Sequence, residues 1–233
     1  MSGLIWLDPD GDPRAFPPCD RALKEPAGLL AAGGDLRPER ILAAYRRGIF
    51  PWYSREQPIL WWSPDPREVL FPEEFRRSRS LAKRERQLGW DVRTNCDFTA
   101  VIDACAGPRR GEHGTWITPE MRAAYLSLHT LGYAHSIETW FRDELVGGLY
   151  GLQIGQIFFG ESMFSRRTDA SKIALSALAR AAPTRQIALI DCQLPSAHLK
   201  SLGSRSLARS DFLHLLRQLI DPLESDSPQA ERF

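Results

Sequence analysis

The chain has 233 residues, of which 43% are hydrophobic, and its 30 basic and 29 acidic side chains leave a formal net charge of +1 at pH 7. This length suits one large domain, or a small and a medium one, and the charge argues against a protein that coats nucleic acid over its whole surface. No apolar run approaches the roughly 18 residues of a membrane span, and the first residues do not resemble a signal peptide, so we expect a cytoplasmic protein.

The cysteines do not form a recognisable metal or disulfide pattern. Cys19, Cys96, Cys105 and Cys192 are scattered, without a C-x-x-C pair and without a histidine pair nearby. Such spacing predicts neither a zinc site nor a disulfide framework. The chain also lacks the glycine-rich phosphate loops G-x-x-x-x-G-K-[ST] and G-x-G-x-x-G. We therefore expect no metal site.

The N-terminal quarter begins with irregular structure and short strands, because residues 1 to about 28 are rich in proline and aspartate. Residues 29–35 are predicted to form a turn. Asp35 can cap a helix at 38–47, and Gly48 ends that helix.

A cluster of tryptophans and prolines follows this helix. Trp52 lies between Pro51 and Tyr53 on a predicted loop, which makes it the candidate for an exposed stacking platform, whereas Trp61 or Trp62 is expected in a small core. We place a domain boundary here. It gives a small N-terminal domain at 1–65, a main domain at 66–220 and a polar tail at 221–233 that is disordered at its end.

Residues 76–87 carry six basic side chains against one acidic one, in a chain whose charges are otherwise balanced. On a helix, four of the basic residues share one face, and Leu81 and Leu88 face inward. A solvated charged face is the plainer interpretation of such a run. Phosphate binding is the functional one, through Arg76, Arg77, Arg79, Lys83, Arg84 and Arg86.

The rest of the chain predicts an α+β fold in which helices cover a mixed sheet. A capping threonine and a first-turn proline, Thr118 and Pro119, mark one helix start. Strands are predicted at 90–94, 134–141, 145–154, 157–159 and 187–192. Helices are predicted at 98–105, 119–131, 169–181 and 211–220, and a loop at 107–114.

Polar residues follow two of the predicted strands. Glu161 comes directly after an apolar strand, and burying a carboxylate there costs several kcal/mol unless a partner or substrate compensates it. Asp191 ends another strand, and Gln193 would share its face if the extended conformation continued. Ligands bind at such strand ends, so we expect a pocket there beside Phe158 and Ile190. The alternatives are a paired structural Glu161 and an Asp191 that caps a turn.

Eight segments of the chain together resemble one known family, in order and with small gaps, from about residue 23 to 215. The family is that of the bacterial leucyl/phenylalanyl-tRNA–protein transferases. The segments are Gly33 to Leu36, Tyr45 to Trp52, Trp61 to Arg67, Gly114 to Thr118, Glu144 to Gly148, Phe159 to Ser165, Ala170 to Lys172 and Leu189 to Gln193.

The resemblance implies a small N-terminal domain packed on a C-terminal domain of acetyltransferase-like (GNAT-type) fold. It implies transfer of Leu, Phe and less readily Met from aminoacyl-tRNA to the N-terminal Arg or Lys of acceptor proteins, which marks them for degradation in the N-degron pathway. No metal and no soluble cofactor are implied, and we expect a monomer.

The resemblance also assigns residues. Asp191, Gln193 and Glu161 are the catalytic candidates, and the basic run at 76–86 would receive the tRNA acceptor stem through its phosphates. An amide is a very poor proton acceptor, so we expect Gln193 to orient the amine rather than to act as a base. The residues implied to bind the aminoacyl-adenosine are Trp52, Trp116, Tyr125, Leu149, Phe158, Leu175, Leu178 and Ile190.

Two other functions would use the same features. An acyl-CoA N-acyltransferase of the same fold would need a glycine-containing pyrophosphate loop where this chain has residues 166–171, which contain no glycine. An RNA-binding module without catalysis would use the basic run and the tryptophans, but it leaves Glu161, Asp191 and Gln193 unexplained.

Overall fold

The computed structural model describes residues 3–107 and 115–220. The predicted tail at 221–233 lies outside these residues, as does all but the first residue of the predicted loop at 107–114. No helix in the described part of the chain is long and apolar enough to cross a membrane.

The N-terminal part forms a four-stranded sheet, in the order β1-β2-β4-β3. Its strands are β1 (Ile5–Leu7), β2 (Leu29–Gly33), β3 (Phe50–Pro51) and β4 (Leu60–Trp62), and helix α1 (Pro38–Tyr45) connects β2 to β3. The turn predicted at 29–35 is wrong. The first four residues of β2 are buried, and an apolar run that pairs with β1 on one side and β4 on the other is a central strand.

Helix α1 starts at Pro38, as predicted, but its N-cap residue is not the predicted Asp35. Its N-cap residue is Arg37, whose side chain makes no capping bond. Asp35 lies two residues too early, and it instead accepts a hydrogen bond from the Arg37 backbone N at 2.7 Å and forms an ion pair with Arg40 at 3.1 Å. The prediction that Asp35 caps the helix is therefore wrong.

The rest of the chain forms a seven-stranded mixed sheet, in the order β11-β5-β10-β9-β8-β7-β6. Only the β9–β10 pair in this sheet is parallel. The strands are β5 (Arg67–Leu70), β6 (Trp90–Thr94), β7 (Ala134–Phe141), β8 (Glu144–Ile154), β9 (Ile157–Ser165), β10 (Leu189–Gln193) and β11 (Arg205–Leu207).

Helices cover both faces of this sheet. Side chains alternate between the two faces along each strand, so each face contributes apolar residues to a core. Leu149 and Phe158 belong to the core beneath α5, whereas the next residues along the chain, Tyr150 and Phe159, belong to the core on the other face. The predicted fold class, α+β with a mixed sheet, is confirmed. The helices are α2 (Arg79–Glu85), α3 (Phe98–Ala106), α4 (Pro119–Thr130), α5 (Ala170–Ala181), α6 (Ala197–Ser201) and α7 (Arg209–Leu219).

The predictions for helices α4 and α2 differ in outcome. Helix α4 starts as predicted, with the Thr118 hydroxyl accepting from the Met121 backbone N at 3.2 Å. Helix α2 is shorter than the predicted 76–87. Leu81 is buried as expected, but Leu88 is 96% exposed, because the helix ends before it, so its inward placement is wrong.

Strand β9 extends six residues beyond its predicted end. Its second half, which contains small and polar residues, still pairs with β8. The register shifts there, since Tyr150 and Gly151 lie opposite Ser162 and Gly160, and Glu161 is the extra residue of the bulge. Glu161 thus lies inside a strand, not after one as predicted.

The two sheets divide the chain between residues 62 and 67. Their cores are continuous, because residues of the N-terminal sheet pack in the same cluster as α3, α4 and α7. Whether 1–65 and 66–220 are separate domains stays a prediction.

Candidate functional site

A cavity of about 250 Å³ opens between α5, the strands β8, β9 and β10, and the segment that enters α6. Its lining brings together six of the predicted substrate-binding residues and two of the predicted catalytic ones, Glu161 and Gln193. The six are Trp116, Leu149, Phe158, Leu175, Leu178 and Ile190.

The apolar part of this lining follows from the local structure. Leu175 and Leu178 are three residues apart and therefore lie on one face of α5. Leu149, Phe158 and Ile190 come from three neighbouring strands and point to the sheet face beneath that helix. An apolar side chain of a ligand fits such a surface.

Three of the predicted catalytic and substrate-binding residues do not line the cavity: Trp52, Tyr125 and Asp191. Trp52 lies on the loop after β3 and is 41% exposed, with its ring 5.6 Å from that of Trp62 in an edge-to-face arrangement. Trp61 is fully buried, as expected for the core tryptophan. Trp52 therefore has the accessibility that a stacking platform needs.

Two tyrosine hydroxyls surround the Glu161 carboxylate. Tyr45 on α1 lies 2.7 Å from Oε1, and Tyr125 on α4 lies 2.8 Å from Oε2. Desolvation raises the pKa of Glu161 to about 7; nearby Asp191 also raises it, while the tyrosine hydrogen bonds and Arg67 lower it. A carboxyl group that titrates near neutral pH in a cavity is a functional candidate.

Asp191 is fully buried and paired. The Arg67 guanidinium donates to both of its oxygens, through Nε at 2.8 Å and Nη2 at 2.6 Å. The Gln193 backbone N donates to Asp191 Oδ1 at 3.0 Å. Arg67 therefore compensates the negative charge of Asp191 inside the protein. Asp191 is connected to the cavity wall by its hydrogen bond with the Gln193 backbone.

Arg67 is itself held from three sides. Its guanidinium lies between the rings of Phe50 and Phe212, 4.8 and 4.6 Å from their centroids, and Nη1 donates to the Gly48 carbonyl at 3.2 Å. Cation–π contacts of a desolvated guanidinium are worth about 2 kcal/mol or more. The Asp191–Arg67 pair thus has a rigid support.

The expectation that Asp191 and Gln193 share a face is wrong. The extended conformation does not continue, because β10 has a bulge at Cys192 and Gln193 adopts a φ of 57°. This turn of the backbone aims the Gln193 side chain at the cavity. Its amide nitrogen donates to the Asp191 carbonyl at 3.4 Å, and no described residue bonds the amide oxygen.

The six basic candidates fall into two groups. Arg84 is paired with Asp169 at 3.0 Å, and Arg77 donates to Glu85 at 2.6 Å. The other four are exposed, as Arg77 is, but have no ion pair within the described residues: Arg76, Arg79, Lys83 and Arg86. A phosphate backbone would meet these four side chains first.

No group of three metal-ligating side chains that could hold an ion occurs in residues 3–107 and 115–220. None of the four cysteines forms a disulfide within the described residues, and burial beside Asp191 raises the pKa of Cys192 well above its usual value. The Cys192 thiol is therefore a poor candidate for a nucleophile.

Comparison with known proteins identifies the family. A model described as leucyl/phenylalanyl-tRNA protein transferase matches residues 69–217, and a model of the N-terminal domain of the same enzymes matches residues 34–65. The chain belongs to the leucyl/phenylalanyl-tRNA protein transferase family. The predicted family and the predicted enzyme class, an aminoacyltransferase, are confirmed.

Relatives named leucyl/phenylalanyl-tRNA–protein transferase are similar over most of the chain. The relative from Pseudomonas fluorescens (strain SBW25) is 56% identical over 94% of this chain and 96% of its own. The relative from Azoarcus sp. (strain BH72) is 60% identical over 90% of this chain and 88% of its own. Because the matches cover about nine tenths of this chain, the similarity to the leucyl/phenylalanyl-tRNA protein transferase family includes both sheets.

A solved GCN5-related N-acetyltransferase from Kribbella flavida is similar in structure. It has a TM-score of 0.39 and 12% identity, and the match covers 72% of this chain and 60% of that one. A similarity of this size carries no argument about function, and the fold class of this transferase-family chain rests on its sheet topology.

Sequence reasoning missed two residues of the site. Tyr45 and Arg67 lie within segments that carry the family resemblance, but neither was assigned a role there. Their partners, Glu161 and Asp191, lie 116 and 124 residues further along the chain. The available signal is chemical: a carboxylate in an apolar environment requires hydrogen-bond donors, and Tyr45 and Arg67 are such donors.

Proposed function

We propose that this transferase-family member moves leucine, phenylalanine and less readily methionine from aminoacyl-tRNA to the N-terminal Arg or Lys of acceptor proteins, which marks those proteins for degradation. The observation that carries this proposal is the single cavity in which an apolar wall meets Glu161 and Gln193. We place the reaction in the cytoplasm, where aminoacyl-tRNA is available. We also propose that the chain acts as a monomer.

The donor side chain occupies the apolar wall of the cavity. Leu149, Phe158 and Leu178 are each at most 3% exposed, so the pocket is already formed by the packed sheet and α5. A preformed apolar pocket accepts Leu, Phe or Met without a polar contact to choose between them. The other two members of this wall are Leu175 and Ile190.

The donor adenosine stacks on tryptophan. Trp116 lines the cavity and Trp52 is exposed, and base–aromatic stacking contributes about 1–3 kcal/mol per base. The acceptor stem then extends toward Arg76, Arg79, Lys83 and Arg86, which contact phosphates and not base edges. Arg77 and Arg84 join this surface when an RNA phosphate competes with their acidic partners.

The acceptor enters beside Glu161 and Gln193. Its α-amine has a pKa near about 8, so a sizeable fraction is neutral at cellular pH and attacks the ester carbon of the donor. The new C–N bond forms as the bond to the adenosine oxygen breaks, and the vicinal hydroxyl of that adenosine carries the proton between the two. The protein contributes mainly positioning.

Each catalytic candidate has a separate part in this positioning. The Gln193 amide oxygen accepts a hydrogen bond from the attacking amine. Asp191 fixes the backbone of Gln193 and is itself fixed by Arg67. Glu161 binds the acceptor α-amine as it enters in its cationic form, before the amine loses its proton to the solvent and attacks, and Tyr125 holds Glu161 in place.

Incubating the protein with Phe-tRNA and an Arg-started peptide tests the proposal. We expect phenylalanine to be added to the peptide N-terminus, with Leu-tRNA also able to donate and with no transfer to the same peptide started by Asp. Acetyl-CoA serves as the control donor. Acetylation without phenylalanine transfer, or RNA binding without any transfer, would contradict the proposed function.

A further inference from the structure

The hydroxyl groups of two tyrosines and the carboxyl group of Glu161 form a closed ring. Tyr45 Oη lies 2.7 Å from Glu161 Oε1, Tyr125 Oη lies 2.8 Å from Oε2, and the two tyrosine oxygens are 2.7 Å from each other. Each distance is typical of an O–H···O hydrogen bond. The ring therefore has three hydrogen bonds, two at Glu161 and one between the tyrosines.

Three hydrogen bonds need three protons, and the two tyrosines supply two. Burial and the neighbouring carboxyl raise the pKa of Tyr45 and of Tyr125, so both hydroxyls keep their proton. An ionised carboxylate only accepts hydrogen bonds. If Glu161 were ionised, both tyrosines would donate to it, and their own oxygens would face each other at 2.7 Å with no hydrogen between them.

We propose that Glu161 carries the third proton in the resting protein and releases it when the cationic N-terminus of an acceptor enters the cavity. The identity of the acceptor rests on the proposed function, but the state of the ring does not. On release, the O–H bond of Glu161 breaks, the proton passes to the solvent, and the electron pair stays on the carboxylate. Both tyrosines then donate to Glu161, and the contact between their oxygens loses its hydrogen.

The charges around the ring are compatible with this exchange. Asp191 faces Glu161 from β10 and favours the protonated form, and Arg67 from β5 opposes it while it pairs with Asp191. Tyr150 on β8 packs against Tyr125 with the ring centroids 5.4 Å apart. The pKa of Glu161, raised to about 7, leaves its proton easy to release near neutral pH.

Release of the Glu161 proton changes the charge of the cavity to suit the molecule that it binds. While the donor binds, the wall beside Phe158 contains a neutral acid, so an apolar side chain meets no unpaired charge. When a cation arrives, the ring supplies one negative charge, and each carboxylate oxygen keeps an acceptor site besides the one that its tyrosine occupies. Tyr45 is thus a positioning residue, because it acts through Glu161.

The state of the ring is measurable without any substrate. We would label the glutamate side chains with ¹³C and follow their carboxyl NMR signals with pH, using Glu161→Gln to identify the signal of Glu161. We expect this carboxyl to titrate near pH 7. Titration in the ordinary range of glutamate, around 4.5, overturns the proposal. If Glu161→Gln does not fold, Tyr125→Phe identifies the signal by moving it.

The release of the proton is measured by calorimetry. An Arg-started peptide is bound in buffers of different ionisation enthalpy, at a pH below the pKa of Glu161. We expect close to one proton released per peptide by the wild-type protein. Glu161→Gln keeps the ring with an amide N–H in place of the acid O–H, and we expect it to release none. Equal release by the two proteins overturns the proposal.

The two proposals fail differently. If wild-type protein transfers no phenylalanine from Phe-tRNA to the same peptide, the proposed function fails, whereas the titration of Glu161 in the free protein does not depend on that result. If transfer occurs and Glu161 titrates as an ordinary glutamate, the three-proton ring alone is wrong.

Discussion

At the scale of single residues, the site depends on a backbone conformation that few side chains adopt. Gln193 has a φ of 57°, and the bulge at Cys192 separates it from Asp191. Non-glycine residues in this region are uncommon and cluster at functional sites. The strain is offset by the hydrogen bond from the Gln193 backbone N to Asp191. Orientation of Gln193 is thus built into β10.

The variant Gln193→Glu separates an orienting residue from a base. A carboxylate accepts a proton far better than an amide does, so a base at this position would be matched or exceeded by Glu. We expect instead a loss of transfer rate of tenfold or more, on the order of 1–3 kcal/mol, because the new charge lies near Glu161 and Asp191. Binding of Phe-tRNA, measured by filter retention, should stay within about twofold of wild type. An unchanged or higher rate would contradict the orienting role.

The Arg67–Asp191 pair predicts a large effect on stability. Removing one partner of a buried ion pair costs about 3–5 kcal/mol, since the other charge stays behind uncompensated. We expect Asp191→Ala to lower the free energy of unfolding by that amount in urea titrations. The double variant Arg67→Met, Asp191→Leu should recover much of the stability but not the transfer activity, because Gln193 has lost its anchor. Recovery of both would show that the pair is only structural.

Glu161 should make the stability of the protein depend on pH. Its pKa in the folded protein, about 7, lies above its ordinary value of 4.5, so between these values the native state holds a proton that the unfolded state has lost. Relative to Glu161→Gln, we expect the free energy of unfolding of wild type to fall as pH rises from about 4.5 to about 7, by roughly 3 kcal/mol, and then to stay level. A constant difference across this range would show that Glu161 is not perturbed.

The apolar residues of the site could be predicted and its polar contacts could not. Leu149, Phe158 and Ile190 lie on apolar strands whose pairing follows from alternation, so their shared pocket is accessible to sequence reasoning. The contact of Tyr45 with Glu161 requires the N-terminal sheet to pack against β9, and nothing local to either residue encodes it. Long-range contacts between polar residues need the fold first.

At the scale of elements, strand ends were the weakest part of the prediction. β9 continues through Gly160 to Ser165 because its partner β8 is long, not because its own residues favour a strand. Helix α6 and strand β11 are short and were missed altogether. By contrast, the predicted bounds of β7 match, since clear turn signals, Gly132 before it and Arg142 and Asp143 after it, bound that strand.

Helix α2 is expected to set the salt dependence of tRNA binding. Arg79 and Lys83 are exposed basic residues in this element, so we expect Arg79→Ala, Lys83→Ala to weaken binding. The slope of log K against log salt should fall by about one unit for each phosphate contact removed.

The double variant Lys24→Ala, Arg217→Ala is the matched control, since it removes the same charge at exposed positions outside α2. Equal slopes for the two double variants would mean that α2 is only a solvated face. Transfer from Phe-tRNA to the Arg-started peptide at saturating tRNA should stay near wild type in both, because neither touches the cavity.

At the scale of the whole molecule, the proposed adenosine site draws on both sheets. Trp52 follows β3 of the N-terminal sheet, and Trp116 precedes α4. We expect Trp52→Ala to weaken donor binding by about 1–3 kcal/mol, the value of one stacked base. Trp6→Ala, at a tryptophan of β1 that is 66% exposed, should leave it unchanged. Inhibition of transfer by free aminoacyl-adenosine measures both, and equal effects would remove Trp52 from the site.

The support of Arg67 has a consequence for exchange of parts between related chains. Its guanidinium is enclosed by Phe50 from the N-terminal sheet and by Phe212 from the last helix. Consider a hybrid that joins the first 65 residues of one relative to the remainder of another. In such a hybrid the Phe50 ring and the Gly48 carbonyl come from one parent, and they have to fit the Arg67 guanidinium of the other. The candidate site is not a module of the larger part alone, and hybrids should be selected on this three-way fit before their substrate preference is compared.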